Sequence, residues 1–138
     1  MALHLTAEFW GCSPSLLMDA EALSSLLRQV VIEVGMQPVG EPLTIVVNDG
    51  TAAWGSGASA LQMLTESHAS LHGLVERLHA YLDLFSCAPL ADPKRLVRDI
   101  ASALRATGYQ WHVEDRTIRS SWWRRAWRWL MRKQRSRQ

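Results

Sequence analysis

The sequence predicts a two-layer α/β sandwich of the α+β kind, a mainly antiparallel sheet with two principal helices on one face. Three observations carry this expectation. The 138-residue chain is long enough for one domain with a real core and too short for two. Alternating or β-branched stretches bracket two long segments of helical apolar spacing, in the order strand, helix, several strands, helix, strand. Apolar residues make up 48% and charged residues 20%, the balance of a soluble globular domain, and no apolar run approaches the roughly 18 residues of a membrane span.

The elements follow in order. "LHLTAEFWG" (3–11) alternates, with Leu5, Ala7 and Phe9 on one side and His4, Thr6, Glu8 and Trp10 on the other, which predicts a half-buried strand. "CSPSLLMDAEALSSLLRQVVIEVG" (12–35) repeats Leu16, Leu17, Ala20, Leu23, Leu27, Val30, Val31 and Val34 at three- and four-residue spacing, which predicts one amphipathic helix ended by Gly35. "EPLTIVVND" (41–49) reads as a second strand closed by an Asn48-Asp49-Gly50 turn. "GTAAWGSGASA" (50–60) reads as a loop, and "SALQMLTE" (59–66) as a third strand. "DPKRLVRDIASALRATG" (92–108) is a helix capped by Asp92, with Pro93 in its first turn, Leu96, Val97, Ile100, Ala101 and Leu104 as its buried stripe, and Gly108 as its stop. "YQWHVEDRTI" (109–118) alternates as a last strand.

Between Leu71 and Phe85 the pattern is ambiguous. Leu71, Leu74, Val75, Leu78, Tyr81, Leu82 and Phe85 fit helical spacing, while Gly73 weighs against a helix by about 1 kcal/mol. "AYLDLFSC" (80–87) also alternates as a strand, with Tyr81, Asp83 and Phe85 on one face.

Charge divides the chain. Residues 121–138 carry seven Lys/Arg, no acid and four of the seven tryptophans; residues 1–120 carry eight basic and thirteen acidic residues, a net of −5. The expected organisation is a domain over 1–120 and a basic Trp/Arg-rich tail over 121–138. On a helix, Trp123, Trp127 and Leu130 of the tail share a face, and Arg124, Arg125, Arg128, Arg132 and Lys133 fill much of the rest. That composition suits contact with an anionic membrane surface, with packing on the body, disorder or nucleic acid as rivals. "MALHLTAEFW" lacks the basic start and long apolar stretch of a signal peptide, so the expected location is the cytoplasm, with Cys12 and Cys87 as free thiols.

"LTESHASLH" (64–72) gathers a carboxylate, hydroxyls and two imidazoles inside apolar flanks. Taken singly, Ser67 reads as a turn serine, His72 as a hydrogen-bonded core histidine and Cys87 as a small buried hydrophobe. His68, His72 and Cys87 would make three metal ligands with no evident fourth, so no metal is expected.

"HLTAEF" (4–9), "ESHASLH" (66–72) and "YLDLFSC" (81–87) together resemble the motifs of the small prokaryotic S-adenosylmethionine decarboxylase proenzymes. Ser67 to His72 is five residues and His72 to Cys87 fifteen, as in that family, and the resemblance covers roughly 4–118. It implies self-cleavage between Glu66 and Ser67. The serine hydroxyl attacks the preceding carbonyl, the resulting ester eliminates the Glu66 carboxylate, and the remaining dehydroalanine hydrolyses to a pyruvoyl cofactor that condenses with the substrate amine as an electron sink. By resemblance, Ser59 assists processing, His72 moves the proton during elimination, Cys87 reprotonates the substrate carbon and Glu76 holds the ribose hydroxyls.

The sequence departs from the family in two places. "GLVE" (73–76) stands where Thr-Trp-Pro-Glu is usual. "TAAWGSGASA" (51–60) keeps Gly57 and Ser59 but has Ala53 at the position of the adenine-stacking aromatic, with Trp54 one residue off as its substitute. The expected activity is S-adenosylmethionine decarboxylation, supplying the aminopropyl donor of spermidine biosynthesis. The same chemistry on L-ornithine or L-arginine is the alternative, and a non-cleaving regulatory relative the second. The resemblance resolves 68–87 as strand, turn, strand. It further implies a homodimer of four layers, αββα, with active sites between protomers.

Overall fold

The computed structural model describes residues 1–48 and 55–117. Trp54 and the basic tail lie outside the described residues. Strand β1 (Leu3–Trp10) leads into a single helical turn, α1 (Pro14–Leu17), and the long helix α2 (Ala20–Glu33). Strands β2 (Leu43–Val47), β3 (Gly57–Leu64), β4 (Ser67–Leu74) and β5 (His79–Ser86) follow, then α3 (Pro93–Ala103) and β6 (Gly108–Asp115). The six strands form one sheet in the order β2-β3-β4-β5-β1-β6, every neighbouring pair antiparallel.

The expected sandwich is the observed one. Alternation puts Leu5, Ala7 and Phe9 of β1, Ala58 and Ala60 of β3, Ala69 and Leu71 of β4, and Ala80, Leu82 and Leu84 of β5 on one face, all buried. Leu23, Leu27, Val30 and Val31 of α2 and Leu96, Val97 and Ile100 of α3 close over them. Gln62, fully buried among these residues, is satisfied: its amide donates to the Met63 carbonyl at 2.9 Å and accepts from Arg28 of α2 at 3.2 Å. Among the described residues the opposite face of the sheet carries no helix. Among the described residues no helix is long and apolar enough to cross a membrane.

Three expectations are corrected, and one ambiguity is resolved as the resemblance implied. The 12–35 segment is not one helix: it breaks after Leu17, and α2 starts afresh where the Asp19 carboxylate accepts from the Ala22 amide at 2.9 Å. An N-cap in the middle of an apolar repeat outweighed the periodicity. Gly57–Ala60 belongs to β3 rather than to a loop, because small residues there allow close approach to β4. Gly108 does not stop α3; Arg105, at φ 55, does, and Gly108 opens β6 where the Trp10 ring leaves no space for a Cβ. The ambiguous 71–85 segment is strand, turn, strand, with Val75–Arg77 as a 3-10 turn closed by Leu78 at φ 53.

Gly73 has a second reason to be glycine. A Cβ there would lie 2.6 Å from the Leu17 carbonyl oxygen, since α1 rests its backbone on β4 at that point. The departure from the family's threonine therefore goes with a close helix–strand approach in this chain.

Candidate active site

β3 and β4 are joined by the two-residue turn Thr65-Glu66, with Leu64 opposite Ser67. Glu66 takes φ 60, in the left-handed region that a residue with a Cβ occupies at a cost of about 1–2 kcal/mol. The carbonyl preceding Ser67 thus belongs to a strained residue at an exposed turn. Ser67 begins β4, and its Oγ accepts from the Cys87 amide at 3.2 Å. Cys87 lies one residue past the end of β5, so the register of two central strands places these two sequence-predicted residues side by side.

Both cysteines are free, and they differ. Cys12 is buried, and burial pushes its thiol above the ordinary value. Cys87 is exposed and is the thiol within reach of a reactant.

Ser59 and His72 form a second pair. They sit directly opposite across β3 and β4, on the open face, with His72 Nδ1 2.9 Å from Ser59 Oγ. The other ring nitrogen, Nε2, lies 3.2 Å from Ser70 Oγ. A hydroxyl both donates and accepts, so this arrangement holds the imidazole in either tautomer and in its protonated form. Ser70 went unnoticed in the sequence; its signal was the two-residue step that puts it on the same face of β4 as His72.

Glu76 lies in the 3-10 turn. Both carboxylate oxygens accept from the Ser56 amide, at 2.8 and 2.7 Å, and these bonds hold the carboxyl below its ordinary range. Gly55, at φ 108, makes room for that carboxylate. Val47, Gly55, Gly57, Ser59, His72, Gly73, Leu74 and Tyr81 line an open hollow of about 360 Å³ beside this pair, a size that suits a small-molecule ligand.

The structure therefore assembles two groups and keeps them apart. Ser67 and His72 are five residues apart on one extended strand, which places their backbones about 16 Å from each other. Ser67 with Cys87 makes one group and Ser59 with His72 the other, while Glu76 is tied to Ser56, three residues before Ser59. His68 joins neither metal ligation nor the His72 group: among the described residues no three His, Cys, Asp or Glu side chains are grouped to hold a metal ion.

Comparison with known proteins bears on this arrangement. The family model described as S-adenosylmethionine decarboxylase matches residues 3–117. The chain is 29% identical over 107 residues to S-adenosylmethionine decarboxylase proenzyme 2 of Halalkalibacterium halodurans, covering 78% of this chain and 79% of that one. It is 30% identical over 102 residues to the S-adenosylmethionine decarboxylase proenzyme of Brevibacillus brevis, covering 74% and 71%. It is 26% identical over 114 residues to the arginine decarboxylase proenzyme of Ignicoccus hospitalis, covering 83% and 76%. Among solved structures, the adenosylmethionine decarboxylase from Aquifex aeolicus shares the fold, with a TM-score of 0.69 at 20% identity over 88% of this chain and 94% of that one.

Proposed function

The chain belongs to the S-adenosylmethionine decarboxylase family, and on that premise we propose that it cuts itself between Glu66 and Ser67 and then decarboxylates S-adenosylmethionine. The family is one of pyruvoyl-dependent decarboxylases made as proenzymes. The observation that carries the reading is the setting of Ser67: a hydroxyl held by the Cys87 amide, directly after a residue strained at φ 60, at an exposed two-residue turn. A residue that is to be converted into a terminal ketone fits there, because cutting this turn leaves both strands paired to their neighbours.

In the cut, Ser67 Oγ bonds to the Glu66 carbonyl carbon and passes its proton to a base. The bond from that carbon to the Ser67 nitrogen breaks, and the nitrogen takes a proton as the ester forms. Removal of the Ser67 α-proton then breaks the Cβ–Oγ bond, and Glu66 leaves with both oxygens as a free carboxylate. Water replaces the nitrogen, which departs as ammonia. When present, the resulting pyruvoyl ketone supplies an electron sink for the pair left as carbon dioxide departs. Cys87 returns a proton from Sγ to the substrate carbon. Glu76, fixed by Ser56 and set against Gly55 of the hollow's lining, serves in this reading as an acceptor for ribose hydroxyls.

The base that removes the Ser67 α-proton in the elimination is His72, supplied by a second copy of the chain. Within one chain about 16 Å separates it from Ser67. The open face that carries His72 also exposes Leu43, Ile45 and Met63, at 68, 60 and 51%, an apolar surface that a second sheet would cover. Two sheets placed face to face give the four-layer homodimer, in which Ser59, His72 and Glu76 of one protomer complete the Ser67 and Cys87 of its partner.

Arginine or ornithine as substrate is the second reading. The altered adenine segment favours it, as does the relative named for arginine decarboxylation. Carbon dioxide release, measured on S-adenosylmethionine, ornithine and arginine in parallel, separates the two. Turnover of S-adenosylmethionine at least about tenfold above the others, in kcat/KM, is expected. Release from arginine alone would assign the second reading, and an intact 138-residue chain by mass spectrometry would remove both.

A further inference from the structure

Three open-face side chains outside the machinery described so far, Phe85, Asp83 and His4, gather around His68, the residue that follows Ser67. His68 lies opposite Phe85 across β4 and β5, and Phe85 lies opposite His4 across β5 and β1. The His68 ring stacks on Phe85 at 5.9 Å and 21°, and His4 meets the same ring edge-on at 6.4 Å and 71°. Asp83, two residues back along β5, reaches both imidazoles: Oδ2 is 2.7 Å from His4 Nε2, and Oδ1 is 3.8 Å from His68 Nε2. Arg116 Nη1 stands 3.4 Å from His4 Nδ1. A guanidinium only donates, so Nδ1 accepts and the proton of a neutral His4 sits on Nε2, aimed at Asp83. Arg116, His4 and Asp83 are thereby ordered in sequence, with Asp83 Oδ1 turned to His68.

We propose that Phe85, Asp83 and His4 form a clamp on His68 that positions the newly cut chain end against Cys87. The proposal rests on the self-cleavage reading. Before the cut, His68 is the second residue of a closed hairpin. After it, residue 67 is a chain terminus and His68 is the last point upstream at which a side chain can hold it. Chain ends fray even when the strand behind them is paired. The clamp ties His68 to β5, and Cys87 follows Phe85 by two residues on the same stretch of backbone. One set of side chains thus registers the ketone-bearing end with the proton donor. His4, Asp83, Phe85 and His68 are positioning residues in this account.

The test uses the full chain with His68→Ala, His68→Phe and Asp83→Asn, each also made in the uncut Ser67→Ala background. Mass spectrometry gives the extent of cutting, and all three are expected to cut as the parent does. If the parent itself stays intact, the self-cleavage reading fails; if only the variants stay intact, the side chains act before the cut and the clamp proposal is overturned. In cut protein, hydrogen exchange at the amides of residues 68–70 is expected to rise about tenfold in His68→Ala and less in Asp83→Asn. In the uncut background it is expected to stay unchanged, because the hairpin holds the strand end. In the same cut proteins kcat is expected to fall about tenfold, with KM within about twofold. His68→Phe, which keeps the stack on Phe85, is expected to recover most of both effects. Exchange rates equal to the parent's, or raised equally in cut and uncut protein, would overturn the clamp.

Discussion

The two ends of β4 hold their reactive side chains by different means. At the first, Ser67 Oγ is held by a backbone amide, that of Cys87. At the other, His72 is held by two side-chain hydroxyls, Ser59 and Ser70. The difference suits the roles proposed for each residue. In the proposed cut Ser67 consumes its own side chain and breaks its own backbone, and its support comes from Cys87, just past β5, where the chain stays whole. In the same proposal His72 gains and loses a proton, and its partners are groups that both donate and accept. A fixed donor suits a group that reacts once, and a pair of reversible partners suits one that cycles.

That contrast can be broken at either end. The largest effect is expected from Ser67→Ala, which leaves no hydroxyl to attack: the chain stays at full length in mass spectrometry, and carbon dioxide release falls by at least about 10³-fold. Cys87→Ala comes next. It removes Sγ and keeps the amide that holds Ser67, so cutting persists while turnover falls about 10²–10⁴-fold. Normal turnover in that variant would assign the thiol to packing. At the His72 end, Gly73→Thr restores the family's residue but drives a Cβ against the Leu17 backbone. A loss of about 1–3 kcal/mol in urea unfolding is expected, with Ser67 still cut. The smallest effect concerns Glu76. Its carboxyl is held below the ordinary range by the Ser56 amide, so the tether contributes above the unfolded-state value and is lost as pH falls through the lowered one. The stability difference between the parent and Glu76→Gln is therefore expected to be flat near neutral pH and to close only at acid pH below the ordinary carboxylate range.

Much of the fold was legible because local signals agreed. β1 alternates cleanly, and α3 begins with Asp92 accepting from the Arg95 amide at 2.9 Å, just before Pro93. The break between α1 and α2 was not legible, because the apolar repeat runs through it while the Asp19 cap interrupts it. Of the candidate site, the motifs named Ser67, Cys87, Ser59 and His72 but not that Ser67 pairs with Cys87 and Ser59 with His72. Their separation was hidden by the ambiguity at 71–85. On a helix, five residues span about 7.5 Å, within one site; on a strand they span about 16 Å. The His4–Asp83 contact joins residues 79 apart in sequence and depends on the pairing of β1 with β5, which no local pattern encodes. Trp54 and the basic tail fall outside the described residues, so the expectations placed on them stand as sequence readings.

In the proposed dimer one active site takes Ser67 and Cys87 from one chain and Ser59, His72 and Glu76 from another. Co-expression of Ser67→Ala with His72→Ala tests it most directly, with cutting of each chain followed by mass spectrometry. Neither variant alone is expected to be cut efficiently. In the mixture, the His72→Ala chain, which keeps its serine, is expected to be cut at Glu66-Ser67 because its partner supplies His72, and carbon dioxide release is expected to return. A His72→Ala chain that stays uncut in the mixture, or that cuts fully by itself, would contradict the shared site.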